Sequence, residues 1–282
     1  MGWEISHVDA LIAGPSSPRR RGPSFRWARA LALAALFIVG AARAEDPLET
    51  VRAALQQFAG KAPVSALLER AVTSERKDRP LEAGRATLEV SAGPDGISIG
   101  YPADLLEQLR AERADTDPEK ARPAQRTLEN FDAIDAAGML NGATGLLRDL
   151  DGAVVKGAGA ADYNGQPARL LELELVVRIS RADSKWLKHA SRSMKLWTTP
   201  DGVPLAEESE SAFTVGLLIF NFNATESRTQ AFAHAGDRLL TLRRTSRFDG
   251  EGLGESQHTT SETTLRMVGK GLPTYEAANA GR

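Results

Sequence analysis

The sequence predicts an α+β fold: one large curved antiparallel sheet with helices packed on a single face. Three observations carry this. From residue 153 onward, segments with period-two alternation follow one another between turn signals, the pattern of a β-meander. Helical patterning gathers in one block, residues 102–150, and does not alternate with strands, so the βαβα rhythm of a parallel sheet is missing. Two short hairpin signals, Asn164-Gly165 and Pro200-Asp201-Gly202, tie neighbouring strands into antiparallel pairs.

The chain of 282 residues opens with a segment that does not belong to this fold. Arginines 19, 20, 21, 26 and 29 precede an apolar run over residues 30–42, too short for a bilayer, which needs about 20 residues. Ala42-Arg43-Ala44 then gives a small-x-small cleavage site before Glu45. A basic region, an apolar region and a cleavage site make a signal peptide over residues 1–44. The poor spacing of the arginines from Phe25 favours the general secretory route over the twin-arginine one. The expected mature chain therefore lies in the periplasm and carries no transmembrane segment. Losing six arginines with Glu4 and Asp9 takes the net charge from −2 to −6, the wrong sign for a nucleic-acid partner. With no cysteine, no disulfide is available, and a single domain over 45–268 must rest on its core alone, followed by a loose tail over 269–282.

Asp46-Pro47-Leu48-Glu49 starts a helix: Asp46 caps, Pro47 suits the first position, and Glu49 stands at the reciprocal capping place. Leu48, Val51, Leu55 and Phe58 form its apolar face before Gly60. Residues 64–77 fit a helix or a strand, with strand preferred. Residues 85–90 are β-prone, Gly93-Pro94-Asp95-Gly96 is a turn, and Ile97, Ile99 and Tyr101 alternate with Ser98 and Gly100 in the next strand. A helix over 104–112, a charged loop over 114–123 and a second helical region over 124–150, broken near 138–142, make up the helical insertion of 102–150. Seven strands follow: 153–162, 168–180, 194–198, 203–213, 215–223, 238–248 and 258–268. In the second, Leu171, Leu173, Leu175, Val177 and Ile179 face one way, and Glu172, Glu174 and Arg178 the other.

The stretches YNGQPARLLELELVV and MKLWTTPDGVPLAEESES, within residues 160–213, resemble the periplasmic carriers of the LolA, LolB and LppX type. The resemblance implies a half-open β-barrel closed on its concave side by helices, carrying lipoprotein acyl chains or other lipids. An unclosed sheet leaves an apolar face, and each buried CH₂ of a lipid chain contributes about 0.8 kcal/mol, so such a pocket needs few polar contacts. The expected cavity wall is Val215, Leu217, Leu218, Ile219, Phe220 and Phe222, with Leu173 and Leu175 of the long amphipathic strand. For residues 215–222 plain core is the simpler reading, because strands are usually apolar on both faces where helices cover a sheet. The expected ligand is a lipid or acyl chain, with a protein partner in the envelope as a further expectation and no cofactor.

Gly96-Ile97-Ser98-Ile99-Gly100 matches the G-x-S-x-G nucleophile elbow, which offers a rival reading as a serine hydrolase with His189, His234 or His258 as base. An elbow needs a strand running straight into the first glycine and a helix starting directly after. Here a turn precedes the motif and Tyr101-Pro102 follows it. Ser98 is therefore expected mid-strand, with Ile97 and Ile99 inward and no histidine within reach, and the chain is expected not to be an enzyme. The three histidines are far apart in sequence and no cysteine accompanies them, which gives no metal pattern. A third reading is an adaptor domain that binds a protein partner through its sheet edge or helices.

Overall fold

The computed structural model describes residues 46–79, 81–117, 120–178, 186–217, 220–252 and 254–268. In chain order the elements are α1 (Pro47–Gln56), β1 (Val64–Arg76), β2 (Glu82–Gly93), β3 (Gly96–Gly100), α2 (Ala103–Ala114), α3 (Pro123–Leu128), α4 (Ala133–Leu140) and α5 (Ala143–Leu150). Then follow β4 (Val154–Tyr163), β5 (Gln166–Glu174), β6 (Leu187–Thr198), β7 (Pro204–Leu217), β8 (Phe220–Ala235), β9 (Arg238–Gly252) and β10 (Glu255–Met267).

The ten strands form one curved sheet in the order β3-β2-β1-β10-β9-β8-β7-β6-β5-β4, with antiparallel neighbours throughout. β3 and β4 are its two edges and do not pair with each other, so the barrel stays open. They are also consecutive strands in the chain. The connection between them must travel from one edge to the other, and it does so as α2 to α5, laid over one face. A helical insertion of this length is thus what the topology requires.

Two apolar cores hold the helices down. Leu48, Val51 and Leu55 of α1 and Leu146 and Leu150 of α5 pack on Leu171 and Leu173 of β5, Leu175 just after it, and Met194 and Leu196 of β6. Leu105 of α2 and Ala136, Met139 and Leu140 of α4 pack on Leu68, Leu88, Leu242 and Leu265. Each fully buried large side chain contributes roughly 1.5–3 kcal/mol. Local signals agree with the packing. Asp46 accepts from Leu48 N at 3.0 Å as the α1 cap, while Glu49 pairs with Arg52 instead of closing a capping box. Asn164 and Gly165, at φ 53° and 81°, make the β4–β5 turn that Asn-Gly is suited to.

Several expectations need correction. Residues 215–223 are not one strand: β7 ends at Leu217, β8 begins at Phe220, and Val215 lies opposite Phe222. A run that is apolar on both faces, without Gly, Asn or Pro at the reversal, leaves no mark of a hairpin. β5 pairs only as far as Glu174, although Leu175 stays buried and its N–H bonds Arg192 O at 2.9 Å. Residues 124–150 break twice. The first break comes at Asn130, at φ 55°, followed by a capping box between Asp132 and Asp135. β8 extends to Ala235, through residues that carry little apolar alternation. Ile179 and the tail beyond 268 lie outside the described residues, as do residues 1–45 with the signal-peptide segment.

Candidate functional site

Between the two apolar cores the helix-covered face of the sheet turns polar. Pairing places Arg70 of β1, Thr263 of β10, Arg244 of β9, Gln230 of β8 and Glu207 of β7 in one row across five strands. The next row is Val72, Ser261, Ser246, Arg228 and Ser209, and the one after it Ser74, Thr259, Phe248, Glu226 and Ser211. Where these rows emerge beyond α3 and α4 they line a cavity of about 390 Å³. Arg126, Glu129, Asn130 and Asp135 close it from the helical side.

Hydrogen bonds fix most of these groups. Arg70 donates to Thr127 O at 2.8 Å, Thr263 Oγ1 at 3.2 Å and Glu129 O at 3.5 Å, and stacks 5.1 Å from the Phe131 ring centre. It thereby ties α3 and the loop after it to the middle of the sheet. Arg244 Nε donates to Gln230 Oε1 at 3.1 Å and its Nη1 to Asp135 Oδ1 at 3.3 Å. Gln230 Nε2 and Arg228 Nε donate to Glu207 Oε1 at 2.6 and 3.0 Å. Asp149 of α5 accepts from both Arg228 and Arg192, at 3.3 and 3.2 Å. Glu207 is only 1% exposed, and its Oε2 has no hydrogen-bond partner among the described residues.

The electrostatics are uneven. Burial is the largest influence on Arg228, but Glu207 and Asp149 outweigh it and raise its pKa. Burial lowers the pKa of Arg244, and the neighbouring Arg228 charge lowers it further, against the opposing pull of Asp135 and Glu207. Burial also lowers that of Arg70, with only Asp135 opposing. All three stay protonated, as arginines do in proteins, so the cost of holding Arg70 and Arg244 here persists in the folded state.

Past the cavity the same face becomes aromatic. Phe213 and Phe222 lie 6.2 Å apart between ring centres near the β7–β8 reversal. Gly250 and Gly252 of β9 leave room for the rings. A Cβ at Gly250 would come within 2.9 Å of Phe248 and 3.2 Å of Phe222, and one at Gly252 within 2.9 Å of Phe222. Phe222 is 38% exposed.

The residues expected as cavity wall therefore separate. Leu173 and Leu175 are sealed in the core against the helices, although Leu173 also borders a depression of the uncovered face. Val215 is half-buried and sits with Phe222 at the aromatic end. Leu217 and Phe220 pair at the end of the hairpin, and Leu218 and Ile219 lie outside the described residues. Ser98 is exposed in the middle of β3, opposite Ser91, with half-buried Ile97 and Ile99 on the inner side. None of the hydrogen bonds among the described residues joins it to a histidine. His189, His234 and His258 lie on three different strands, and His258 is bonded to Asp249. Among the described residues no group of three metal-ligating side chains occurs, and no helix is long and apolar enough to cross a membrane.

The arginine rows escaped sequence reasoning. The one available signal was the spacing of Arg228, Gln230 and Glu226 at every second residue.

No protein-family model and no curated protein matches this sequence. Among solved structures, the chain is similar to a LolA superfamily protein, NE2245, from Nitrosomonas europaea. Identity is 14% over 79% of this chain and 93% of that one, with a TM-score of 0.26. It is also similar to MucB, solved in complex with MucA(peri), at 12% identity over 83% and 95% of the two chains, with a TM-score of 0.18. The first bears the family name that residues 160–213 resemble. At such TM-scores the fold stands on its own strand order and register.

Proposed function

We propose that the mature chain is a non-enzymatic binding protein of the periplasm that carries an amphiphilic lipid or similar ligand along the helix-covered face of its open sheet. The observation that carries this reading is the arginine-lined cavity, bordered by Phe248, on the same face of the sheet as the Phe213–Phe222 pair, of which Phe222 is exposed. A cavity of about 390 Å³ falls within the roughly 300–1,000 Å³ of small-molecule sites, and its charged wall with an aromatic pair further along the same face matches a molecule with a polar head and a greasy tail. The open sheet supports the same reading, because only an unclosed barrel leaves its inner face reachable from the side. The basic, apolar and small-residue order of the first 44 residues supports export.

Native mass spectrometry and lipid extraction on purified residues 45–282 test the proposal. Co-purifying amphiphile, or uptake of a supplied one, is the expected result. A clean unliganded mass with no uptake would overturn it. A fluorophosphonate probe is expected to leave Ser98 unlabelled, and labelling there would favour the hydrolase reading. A co-purifying protein with no amphiphile would favour the adaptor.

A further inference from the structure

The charged wall of the cavity specifies what the ligand presents to it. We infer that Arg228 and Arg244, with Ser246 beside them, form an oxyanion site that takes the carboxylate or phosphate head of the amphiphile. This rests on the binding reading above and adds the chemical class of the head group. Ser246 lies directly opposite Arg228 across β8 and β9 and two residues from Arg244 on β9, so the three share one face and one wall of the cavity.

The layout of charge favours an anion inside. The guanidinium-bearing side chains of Arg244 and Arg228 are recessed, at 19% and 27% exposure, whereas Asp135 and Glu129 are 38% and 48% exposed at the rim. Glu226, the third lining carboxylate, is exposed as well. A ligand passing the rim therefore meets Arg228 and Arg244 at the inner wall, with the recessed carboxylates Glu207 and Asp149 bonded to Arg228 but not lining the cavity.

Donor capacity points the same way. A guanidinium offers five N–H donors and no acceptor. The bonds of Arg228 use Nε and Nη2, and those of Arg244 use Nε and Nη1. Arg228 Nη1 and Arg244 Nη2 make no hydrogen bond within the described residues. Beside them, Ser246, Ser261 and Thr259 can donate hydroxyl protons. An oxyanion accepts from all of these, and a guanidinium grips it with paired parallel bonds. A cation would meet repulsion, and a neutral head would leave charged donors unused. The penalty that burial and the Arg228 charge impose on Arg244 would be relieved by an anion between the two. The apolar body then continues along the same face, past Phe248 toward Phe222.

Titration calorimetry on residues 45–282 tests the inference with three probes: dodecyl phosphate, glycerol monolaurate and inorganic phosphate. Dodecyl phosphate is expected to bind at least about tenfold tighter than glycerol monolaurate, the worth of one good charge-assisted bond. Arg244→Gln should remove most of that advantage. Arg244 is chosen because its loss frees only Gln230 and the part-exposed Asp135. Arg244→Lys, which keeps the charge but not the fork, should retain part of the advantage, and it decides the matter if the glutamine variant does not fold. Competition by millimolar inorganic phosphate supports a site that accepts a free oxyanion. Tight dodecyl phosphate binding without such competition supports recognition of the lipid head group. Equal affinity for the two amphiphiles, or an advantage untouched by both substitutions, overturns the oxyanion site and leaves the binding reading standing. If neither amphiphile binds, both fall.

Discussion

Gly84 of β2 is where the helical layer comes down on the sheet, and Gly84→Ala measures how tightly. A Cβ there would lie 2.1 Å from Thr127 Oγ1, 2.2 Å from Pro123 O and 2.9 Å from Pro123 C. Ordinary carbon–oxygen contacts begin at about 3.3 Å, so α3 must retreat by roughly 1 Å. The obstacle is mostly helix backbone, and Thr127 is fully buried and hydrogen-bonded to Pro123 O at 2.8 Å, so a rotamer change offers no escape. Overpacking of this kind costs about 1–3 kcal/mol, against a gain of about 0.5–1 kcal/mol for replacing a strand glycine. The expected net loss is about 1 kcal/mol, or a fall in Tm of about 2–4 °C for a domain of this size. Arg70 is bonded to Thr127 O and Glu129 O, so the same retreat loosens the tie between sheet and helices. Gly93→Ala is the control, because its nearest neighbour would be Pro63 Cβ at 4.0 Å, and it should be neutral to stabilising by up to about 1 kcal/mol. Thermal and urea unfolding of the two variants decide the matter. If Gly84→Ala is as stable as wild type, or as Gly93→Ala, then α3 does not rest on β2 as described.

Three further outcomes are expected. Arg228→Met leaves the buried Glu207 carboxylate with Gln230 as its remaining donor and should cost about 3–5 kcal/mol in urea unfolding. Glu207→Gln keeps an acceptor for both and should cost less, and the reverse order would contradict the network. The Asp237 carboxylate accepts from Ala62 N and Lys61 N, which holds its pKa below the ordinary carboxylate value. Its contribution is complete above the unfolded value of about 3.9 and is lost as pH falls through the lower folded value, so the stability gap between wild type and Asp237→Asn should narrow in acid. A gap that stays constant between pH 7 and pH 2 would remove Asp237 from that role. Leu150→Ala, at a fully buried position under α1, should cost about 3 kcal/mol by differential scanning calorimetry, and a loss below 1 kcal/mol would mean that this core is loosely packed.

The sequence showed the fold more readily than the site, for one physical reason. β5 was legible because its inner residues are apolar and its outer ones polar, as with Leu171, Glu172 and Leu173, whereas β1, with Arg70 and Ser74 on its inner face, fitted a helix as well as a strand. The body of β8 was not, because its inner face at Glu226, Arg228 and Gln230 is as polar as its outer face at Ser227 and Thr229. The missed part of β8 therefore carries Arg228 of the arginine site, while Arg244 lies on the expected strand 238–248. The hairpin at 215–223 was hidden by the opposite excess, since apolar residues on both faces erase the period. Ser98 was placed correctly because the glycines and prolines around it carry turn geometry whatever the burial.

The strand order also bears on how the chain assembles. β1, made first, finds one of its two neighbours in β10, made last, with Ala66 opposite Met267. Until β10 emerges, the β3-β2-β1 and β9-to-β4 sections share no strand pairing, and the seam lies in the middle of the finished sheet, beside the arginine row. Loop-closure entropy across nearly the whole chain must be met at that step, which makes it the natural bottleneck of folding. A chain stopped before Glu255 would hold two separate sheets bridged only by helices, with β1 and β9 left as raw edges open to other chains.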